Sequence, residues 1–315
     1  MDDQTSAVAV IGAGLMGHAI ALTFAAAGRT VSVYDPELAS RASLPGRVER
    51  SLRDLGRTDA QVDQTLARIT VCADLAEAVH DAAYVTEAAP ERLDVKRGIF
   101  ADLERVVPAG TILASNTSVI PITQITALMS TPERAVGTHW WNPGHLIPLV
   151  EVVPTEWTTD DTVERTVATL AGIGKSPVRV KRDVPGFIGN RLQHALWREA
   201  INIVEQGYCS AADIDLVVTS GFGRRLAVLG PMANADLIGT DLTLDIHTQV
   251  LYDLDGRPEP SPLLRELVGD GRLGWKSGEG FMSWTAEEQD AVRERVSAHL
   301  LRMSEQLDRV PEEET

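Results

Sequence analysis

The stretch that decides the fold lies near the N-terminus, where Ala7–Gly17 reads AVAVIGAGLMG. Its first five residues are all apolar, which predicts a short buried strand. Three glycines follow at positions 12, 14 and 17, and an apolar segment then continues to about Ala27, where Gly28 predicts a helix stop. A strand, a glycine-rich turn and a helix in this order are typical of a dinucleotide-binding unit.

Each glycine of this turn has its own physical role. Gly12 permits the tight turn, Gly14 lets the backbone approach a pyrophosphate, and Gly17 lets the helix pack on the strand. Leu15 and Met16 lie in this turn, and the helix that follows supplies N–H groups and a positive dipole end to the phosphates. We therefore assign all five residues to the cofactor site.

The second predicted strand adds evidence about the cofactor. Thr30–Tyr34 is a β-branched run that ends in Asp35, where a carboxylate accepts hydrogen bonds from the adenosine ribose hydroxyls. The same carboxylate repels a 2′-phosphate, and Pro36 and Glu37 follow it instead of an arginine. The sequence therefore predicts binding of NAD rather than NADP.

The first half of the chain alternates short apolar strands with helical or polar segments. The predicted strands are Ala7–Ile11, Thr30–Tyr34, Arg68–Cys72, Ala83–Thr86, Thr111–Ala114, Ala135–His139, Leu149–Val153 and Val178–Val180. This alternation predicts a parallel sheet with helices on both faces. After about residue 183 apolar residues recur at helical spacing instead. We predict an α/β fold, with a Rossmann-type, mostly parallel sheet domain at 1–183 and an all-α helical domain at 184–315.

Composition excludes several classes of function. A formal net charge of -16 without a polybasic tract argues against a nucleic-acid partner. No apolar run reaches the ~18–20 residues that span a bilayer, and the polar, acidic start does not resemble a secretory signal. Cys72 and Cys209 lie far apart without metal-ligand spacing, so we expect no metal site and a reducing, cytoplasmic location.

Polar residues follow two predicted strands, and a carboxylate lies inside a third. The polar stretches are Ser115–Ser118 and Thr138–Pro143, and Glu151 stands in the apolar run Leu149–Val153. A buried carboxylate is costly without a partner, and His139 is a candidate for that partner. Glu151 fixes the ring tautomer, and the other ring nitrogen takes a hydroxyl proton while hydride leaves the same carbon. Spacing alone leaves open a solvated Glu151 and an ordinary loop histidine.

Several motifs together resemble the 3-hydroxyacyl-CoA dehydrogenase family, from Ala7 to about Trp284. The motifs are Gly12–Gly17, Glu87–Glu91 with Lys96, Ala114–Ser118, His139–Pro143 through Glu151, Pro185–Arg191 and Gly274–Phe281. The resemblance implies an NAD-dependent oxidoreductase with a small-molecule substrate, which interconverts a 3-hydroxy compound and its 3-keto form.

The resemblance also implies individual roles. His139 is then the base in oxidation and the acid in reduction, and Glu151 orients it. Ser118 and Asn190 hydrogen-bond the reacting oxygen or the neighbouring carbonyl. With all four residues present, a purely structural role like that of lambda-crystallin is disfavoured.

The resemblance implies further cofactor and partner contacts. Glu91 and Lys96 line the nicotinamide-ribose side of the cofactor site, to which we also assign Asn116. In this family the helical domain commonly forms a homodimer contact, which fits the apolar-rich stretch Leu226–Leu251.

The chain also departs from the acyl-CoA pattern. Trp140 and Trp141 stand where acyl-CoA enzymes carry two phenylalanines, and Gly221–Met232 replaces a short proline-containing motif. The segment Arg41–Arg68, where those enzymes often place lysines for CoA phosphates, has no lysine. These features are similar to the branch acting on free hydroxy acids, which includes gulonate, carnitine and pyridine-carboxylate dehydrogenases. A 3-hydroxyacyl-CoA substrate stays the alternative, followed by an aromatic or heterocyclic carboxylate alcohol or aldehyde.

The departures supply candidate substrate contacts, each with a plainer alternative. Arg225 binds a substrate carboxylate with two hydrogen bonds, or is a surface arginine. Trp140 and Trp141 form a pocket wall for a flat ring or a quaternary ammonium group, or belong to the core. His145 is a rival base or a loop residue.

Overall fold

The structure is a computed structural model that describes residues 7–307. Contacts divide these residues into two compact units, one formed by 7–191 with 297–307 and the other by Leu192–Val296. The sequence boundary at 183/184 follows a change in the spacing of apolar residues, whereas this division follows contacts. The last part of the chain therefore groups with the first unit by contacts, and the domain limits stay a prediction.

The first unit is built on one sheet of eight strands within the described residues. The strands are β1 (Ala7–Ile11), β2 (Val31–Tyr34), β3 (Ile69–Val71), β4 (Ala82–Glu87), β5 (Ile112–Ser115), β6 (Ala135–Trp140), β7 (Leu149–Val153) and β8 (Ser176–Arg179). Their order is β3-β2-β1-β4-β5-β6-β7-β8. The order reverses between β1 and β4, and ligands of such sheets bind at this reversal, beyond the carboxyl ends of the strands.

All neighbouring strands are parallel except β6 and β7, which are antiparallel. Parallel neighbours need a long crossover, usually a helix, whereas antiparallel neighbours accept a shorter loop. The connection between Trp140 and Leu149 contains no helix. The chain therefore reverses its direction in this loop. The mostly parallel sheet that the sequence predicts is confirmed.

Helices cover both faces of this sheet. They are α1 (Leu15–Ala26), α2 (Leu38–Asp54), α3 (Asp59–Leu66), α4 (Leu75–Val79), α5 (Leu93–Val106), α6 (Ile122–Thr126) and α7 (Asp160–Ala171). Alternate residues of β1 enter different cores, with Val8 and Val10 on one face and Ala9 and Ile11 on the other. Two-sided burial explains why β1 reads as a continuous apolar run.

The remaining helices follow the sheet. They are α8 (Gly189–Glu205), α9 (Ala211–Ser220), α10 (Pro231–Ile238), α11 (Thr240–Val250), α12 (Pro262–Gly269) and α13 (Ala286–Leu307). Within the second unit only Ser261, Leu267 and Gly280 are buried. This unit therefore has almost no core of its own. None of the helices in the described part of the chain is long and apolar enough to cross a membrane.

Candidate active site

The glycine turn between β1 and α1 is shaped by close backbone approaches. Gly12 has φ +106°, and a Cβ there would lie 2.6 Å from the carbonyl oxygen of Ala88. A Cβ on Gly17 would lie 1.8 Å from the carbonyl oxygen of Gly12, so the helix packs directly on the turn. Gly14 is the N-cap of α1, and no side chain caps this helix. The turn therefore leaves the N-terminus of α1 open to a ligand.

Asp35 joins the end of β2 to this turn. Its Oδ2 accepts a hydrogen bond from the Ala13 amide at 2.7 Å, and its Oδ1 accepts one from the Glu37 amide at 2.9 Å. Both bonds hold the carboxylate at the carboxyl end of the sheet. Because a carboxylate oxygen can accept more than one hydrogen bond, Asp35 keeps capacity for a ribose hydroxyl.

A cavity of about 610 Å³ opens above the carboxyl ends of the strands. Its lining contains these candidate residues: Gly12, Gly14, Leu15, Met16, Asp35, Glu91, Asn116 and Ser118. The glycine turn, the open N-terminus of α1 and the Asp35 carboxylate thus border one space. These residues fit a bound dinucleotide.

Lys96 is fully buried and does not line this cavity. Its Nζ lies 2.8 Å from Glu87 Oε1 and 3.4 Å from Glu91 Oε2, so the ammonium joins two carboxylates. Glu87 is equally buried and also accepts the Ser115 hydroxyl at 2.6 Å. The structure thus places Lys96 behind Glu91. The sequence motif assigns Glu87 no separate role, although a carboxylate at the end of an apolar strand is a signal for one.

Glu91 organises the turn after β5. Its Oε1 accepts hydrogen bonds from the Thr117 hydroxyl at 2.6 Å, the Ser118 amide at 2.9 Å and the Val119 amide at 3.1 Å. Burial opposes ionisation of Glu91, but these donors and the Lys96 charge hold its pKa below the usual range. The carboxylate therefore fixes the backbone from which Ser118 projects.

Asn116 and Asn190 tie neighbouring segments to the same turn. The side-chain oxygen of Asn116 accepts the Trp140 amide at 2.9 Å, which joins the end of β5 to the end of β6. The side-chain amide of Asn190 donates to the Ser118 carbonyl at 2.8 Å. The structure thus brings Asn190 and Ser118 together.

His139 and Glu151 face each other across β6 and β7. They are direct partners in the antiparallel register, and His139 Nδ1 lies 2.8 Å from Glu151 Oε2. The other oxygen of Glu151 accepts the amides of Ile188 at 2.8 Å and Gly189 at 3.0 Å. Burial opposes ionisation of Glu151, but the hydrogen bonds from His139 and both amides lower its pKa. The carboxylate is therefore ionised and fixed beside the imidazole.

Of the two tryptophans, only Trp141 contacts His139. Successive residues of a strand point to opposite faces, and Trp140 is buried in the core against Phe24. Trp141 is half-buried, with its ring centroid 5.2 Å from that of His139. Sequence analysis left core and pocket open for both tryptophans. The structure places Trp140 in the core, which corrects its assignment as a substrate contact.

His145 lies apart from the His139–Glu151 pair. Its ring centroid is 6.3 Å from that of His18 on α1. Burial, with help from the His18 and Lys175 charges, lowers the pKa of His145 to about 4. Lys175, which sequence analysis missed, donates to the carbonyls of Gly144 at 2.6 Å and Ile147 at 2.9 Å and so anchors this loop. Its ammonium also lies over the Trp140 ring, 4.9 Å from the centroid. No sequence motif marks a lysine with these partners.

Arg225 belongs to the second unit, where it directly follows a short 3₁₀ helix at Phe222–Arg224. It is exposed. Its contact with a substrate carboxylate stays a prediction.

Comparison with known proteins identifies the family. Residues 7–184 match the family described as 3-hydroxyacyl-CoA dehydrogenase, NAD binding domain, and residues 186–284 match its C-terminal domain. The chain is 38% identical over 289 residues to 5-formyl-3-hydroxy-2-methylpyridine 4-carboxylate 5-dehydrogenase of Mesorhizobium japonicum, covering 91% of this chain and 93% of that relative. It is 40% identical over 283 residues to a probable 3-hydroxybutyryl-CoA dehydrogenase of Bacillus subtilis, covering 88% and 96%.

A solved structure extends the likeness to almost the whole chain. The crystal structure of a 5-formyl-3-hydroxy-2-methylpyridine 4-carboxylic acid 5-dehydrogenase, described as an NAD⁺-dependent dismutase, superposes with a TM-score of 0.88 at 35% identity. The match covers 97% of this chain and 99% of that one. The predicted cofactor, fold class and enzyme class are thereby confirmed. The chain belongs to the 3-hydroxyacyl-CoA dehydrogenase family and is an NAD-dependent dehydrogenase acting on CH–OH groups.

Proposed function

We propose that this dehydrogenase interconverts a 3-hydroxy acid, or a 3-hydroxyacyl compound, and its 3-keto form, with His139 and Glu151 as its acid–base pair. The observation that carries the proposal is the 2.8 Å contact between His139 Nδ1 and a Glu151 carboxylate that two backbone amides hold in place. A histidine held by a fixed carboxylate is suited to proton transfer through its other nitrogen.

The proton steps follow from this arrangement. In oxidation, Nδ1–H donates to Glu151, so Nε2 carries the lone pair that takes the substrate hydroxyl proton. The adjacent carboxylate stabilises the imidazolium that forms. NAD, when bound, supplies the acceptor for the hydride that leaves the same carbon. In reduction the imidazolium returns its proton to the carbonyl oxygen.

Ser118 and Asn190 are the proposed contacts to the reacting oxygen or the neighbouring carbonyl. The turn that carries Ser118 is fixed by Glu91, and the amide of Asn190 is held beside it. The Ser118 hydroxyl makes no hydrogen bond with any residue in the described ranges and is exposed. A donor that is positioned but unpaired suits binding of a substrate oxygen.

A free carboxylate is the proposed substrate feature. The Arg41–Arg68 segment has no lysine for CoA phosphates, and Arg225 is exposed in the second unit. The full-length likeness to a pyridine-carboxylate dehydrogenase supports the same class. The second candidate is a 3-hydroxyacyl-CoA dehydrogenase, which the 40% identical Bacillus subtilis relative favours.

The testing experiment is an NAD-linked activity screen. It compares 3-hydroxyacyl-CoA esters, free 3-hydroxy acids, carnitine and aromatic hydroxymethyl or aldehyde acids. Arg225→Met should lower kcat/KM for a free acid by roughly tenfold or more, because hydrogen bonds to a charged group contribute about 1.5–3 kcal/mol. Arg224→Met, beside it in sequence, is the matched control. Efficient use of 3-hydroxybutyryl-CoA without activity on any free acid would contradict the free carboxylate and favour a 3-hydroxyacyl-CoA substrate.

We also propose that the helical unit binds a second copy of the chain. Large apolar side chains on its helices are exposed, among them Met232 and Leu237 on α10 and Leu242 and Leu244 on α11. Exposed apolar area of this extent marks an interaction surface in a soluble protein. A homodimer gives these helices the core that they lack.

A further inference from the structure

The His139 ring has two aromatic neighbours. The ring centroid of Trp141 lies 5.2 Å away and that of Phe187 lies 5.6 Å away, each plane tilted by 53° from the imidazole. Tilted ring pairs at these separations are favourable contacts. The bond to Glu151 fixes one atom of the imidazole, but the ring can still tilt about that atom. Contacts to two aromatic rings restrict this remaining freedom.

Phe187 lies in an unusual backbone turn. Its φ is +50°, directly after Gly186 at φ +74°, and its side chain is fully buried. A bulky residue in the left-handed region costs about 1–2 kcal/mol, so the surrounding structure must impose it. After this turn the amides of Ile188 and Gly189 point at the Glu151 carboxylate. The same turn therefore supplies the donors for Glu151 and a ring beside His139.

Gly189 packs directly against the indole of Trp141. A Cβ added to Gly189 would lie 2.3 Å from Cζ2 of Trp141 and 3.2 Å from its Cε2 and Cη2. Contacts below 3 Å are sterically forbidden, and here the obstacle is a rigid indole. The indole therefore occupies the space that a side chain at position 189 would fill.

These contacts form a closed circuit around the imidazole. His139 is hydrogen-bonded to Glu151, and Glu151 accepts a hydrogen bond from the Gly189 amide. Gly189 packs against the indole of Trp141, and the indole contacts the His139 ring. The position of each member is therefore constrained by its two neighbours in the circuit. Neither Trp141 nor Gly189 lines the cofactor cavity.

We infer that Trp141 is a positioning residue for the His139 imidazole, and that Gly189 is required at its position to give the indole its place. The inference rests on the proposed acid–base role of His139. Trp141 does not exchange a proton; it holds the ring in the orientation in which Nε2 meets the substrate hydroxyl. A misplacement of about 1 Å in such a geometry can cost roughly 10²-fold in rate.

The test is a double-mutant cycle between Gly189 and Trp141 in the full chain. Gly189→Ala should displace the indole that contacts His139 and lower kcat by about tenfold or more, given the cost of misplacement. Trp141→Phe should lower kcat less, because a smaller ring still covers the imidazole. In the double variant the smaller ring makes room for the methyl group, so kcat should recover to within about threefold of Trp141→Phe.

The control and the second readout separate positioning from folding. Gly98→Ala on α5 is the matched control, because a Cβ there meets nothing within 4 Å. The affinity for NADH should stay unchanged in every variant, so the loss should fall on kcat. Independent, additive losses in the double variant would overturn the inference, as would full activity of Gly189→Ala.

A further variant keeps the inference testable if Gly189→Ala does not fold. Trp141→Ala adds no atom, and it should lower kcat while NADH still binds normally. Unchanged kcat in this folded variant would overturn the inference even if His139 is the base. Normal turnover of His139→Ala would instead overturn the proposed function, so the two failures are distinct.

Discussion

At the scale of single residues, carboxylates do much of the positioning. Asp35, Glu87, Glu91 and Glu151 each end or interrupt an apolar strand, or follow one closely, and each is held by backbone or side-chain donors. The sequence indicates Asp35 by its place at the end of the second strand of a dinucleotide-binding unit. It indicates Glu151 because a buried carboxylate is costly without a partner. The sequence also indicates His139 as the partner of Glu151, but not the amides that hold Asp35 and Glu151, since backbone amides carry no signature in the sequence.

Asp35 sets the first prediction, which concerns cofactor choice. Asp35→Ser should raise the ratio of kcat/KM for NADP to that for NAD by roughly tenfold or more, because juxtaposed like charges cost several kcal/mol. Steady-state kinetics with both cofactors measures the ratio. Asp63→Ser, an exposed acid on α3 outside the cavity, controls for the change in net charge. A wild type that uses NADP as well as NAD would contradict the assigned role.

The tryptophans illustrate what sequence cannot decide about a residue. Trp140 and Trp141 are adjacent and identical in chemistry, yet one lies in the core and the other contacts His139. Strand alternation fixes that they face opposite ways. Trp141 shares the alternation of His139 only if the extended backbone continues past the end of β6 at Trp140, and strand ends are the least predictable part of a pattern.

At the scale of elements, a buried charge network joins β4, β5 and α5. Lys96 on α5 contacts Glu87 at the end of β4, and Glu87 accepts the Ser115 hydroxyl at the end of β5. Both charged side chains are fully buried. Removal of one partner leaves an uncompensated charge, which is far more costly than loss of the pair itself.

The second prediction therefore concerns stability. Lys96→Met should lower the free energy of unfolding by about 3–5 kcal/mol, because Glu87 stays buried without its cation. Urea unfolding followed by circular dichroism measures the change. Arg105→Met, which breaks an exposed ion pair with Asp102 on the same helix, should cost at most about 1 kcal/mol.

A double variant decides between charge compensation and simple packing. Lys96→Met with Glu87→Gln removes both charges and should recover most of the lost stability. Equal stability of the wild type and Lys96→Met would mean that the pair contributes nothing to folding.

At the scale of the whole molecule, the pattern of apolar residues predicts the position of every strand in the described sheet. All eight predicted strands overlap strands of the described sheet, and Ala7–Ile11 and Leu149–Val153 have the same limits. The antiparallel return of β7 was not predicted, because strand direction depends on the loop after Trp140 rather than on the strand's own residues. Helical spacing predicts the helices of the second unit, but it does not indicate how few of their residues are buried.

The third prediction concerns assembly. Light scattering after gel filtration should give about twice the chain mass of 34.1 kDa. Leu237→Glu with Leu244→Glu should weaken association, because both side chains belong to the exposed apolar surface of the helical unit. Leu128→Glu, at an equally exposed leucine of the first unit, is the control and should leave the mass unchanged. A wild type that is monomeric at micromolar concentration would contradict the dimer.

The most direct test of the central claim is the turnover of His139→Ala together with its affinity for NAD. Turnover should fall by about 10²–10⁴-fold, the usual contribution of a general acid–base group. NAD affinity, measured by calorimetry, should barely change, because His139 does not line the cofactor cavity. Turnover near that of the wild type, with NAD bound normally, would contradict the account and place the proton transfer on another residue.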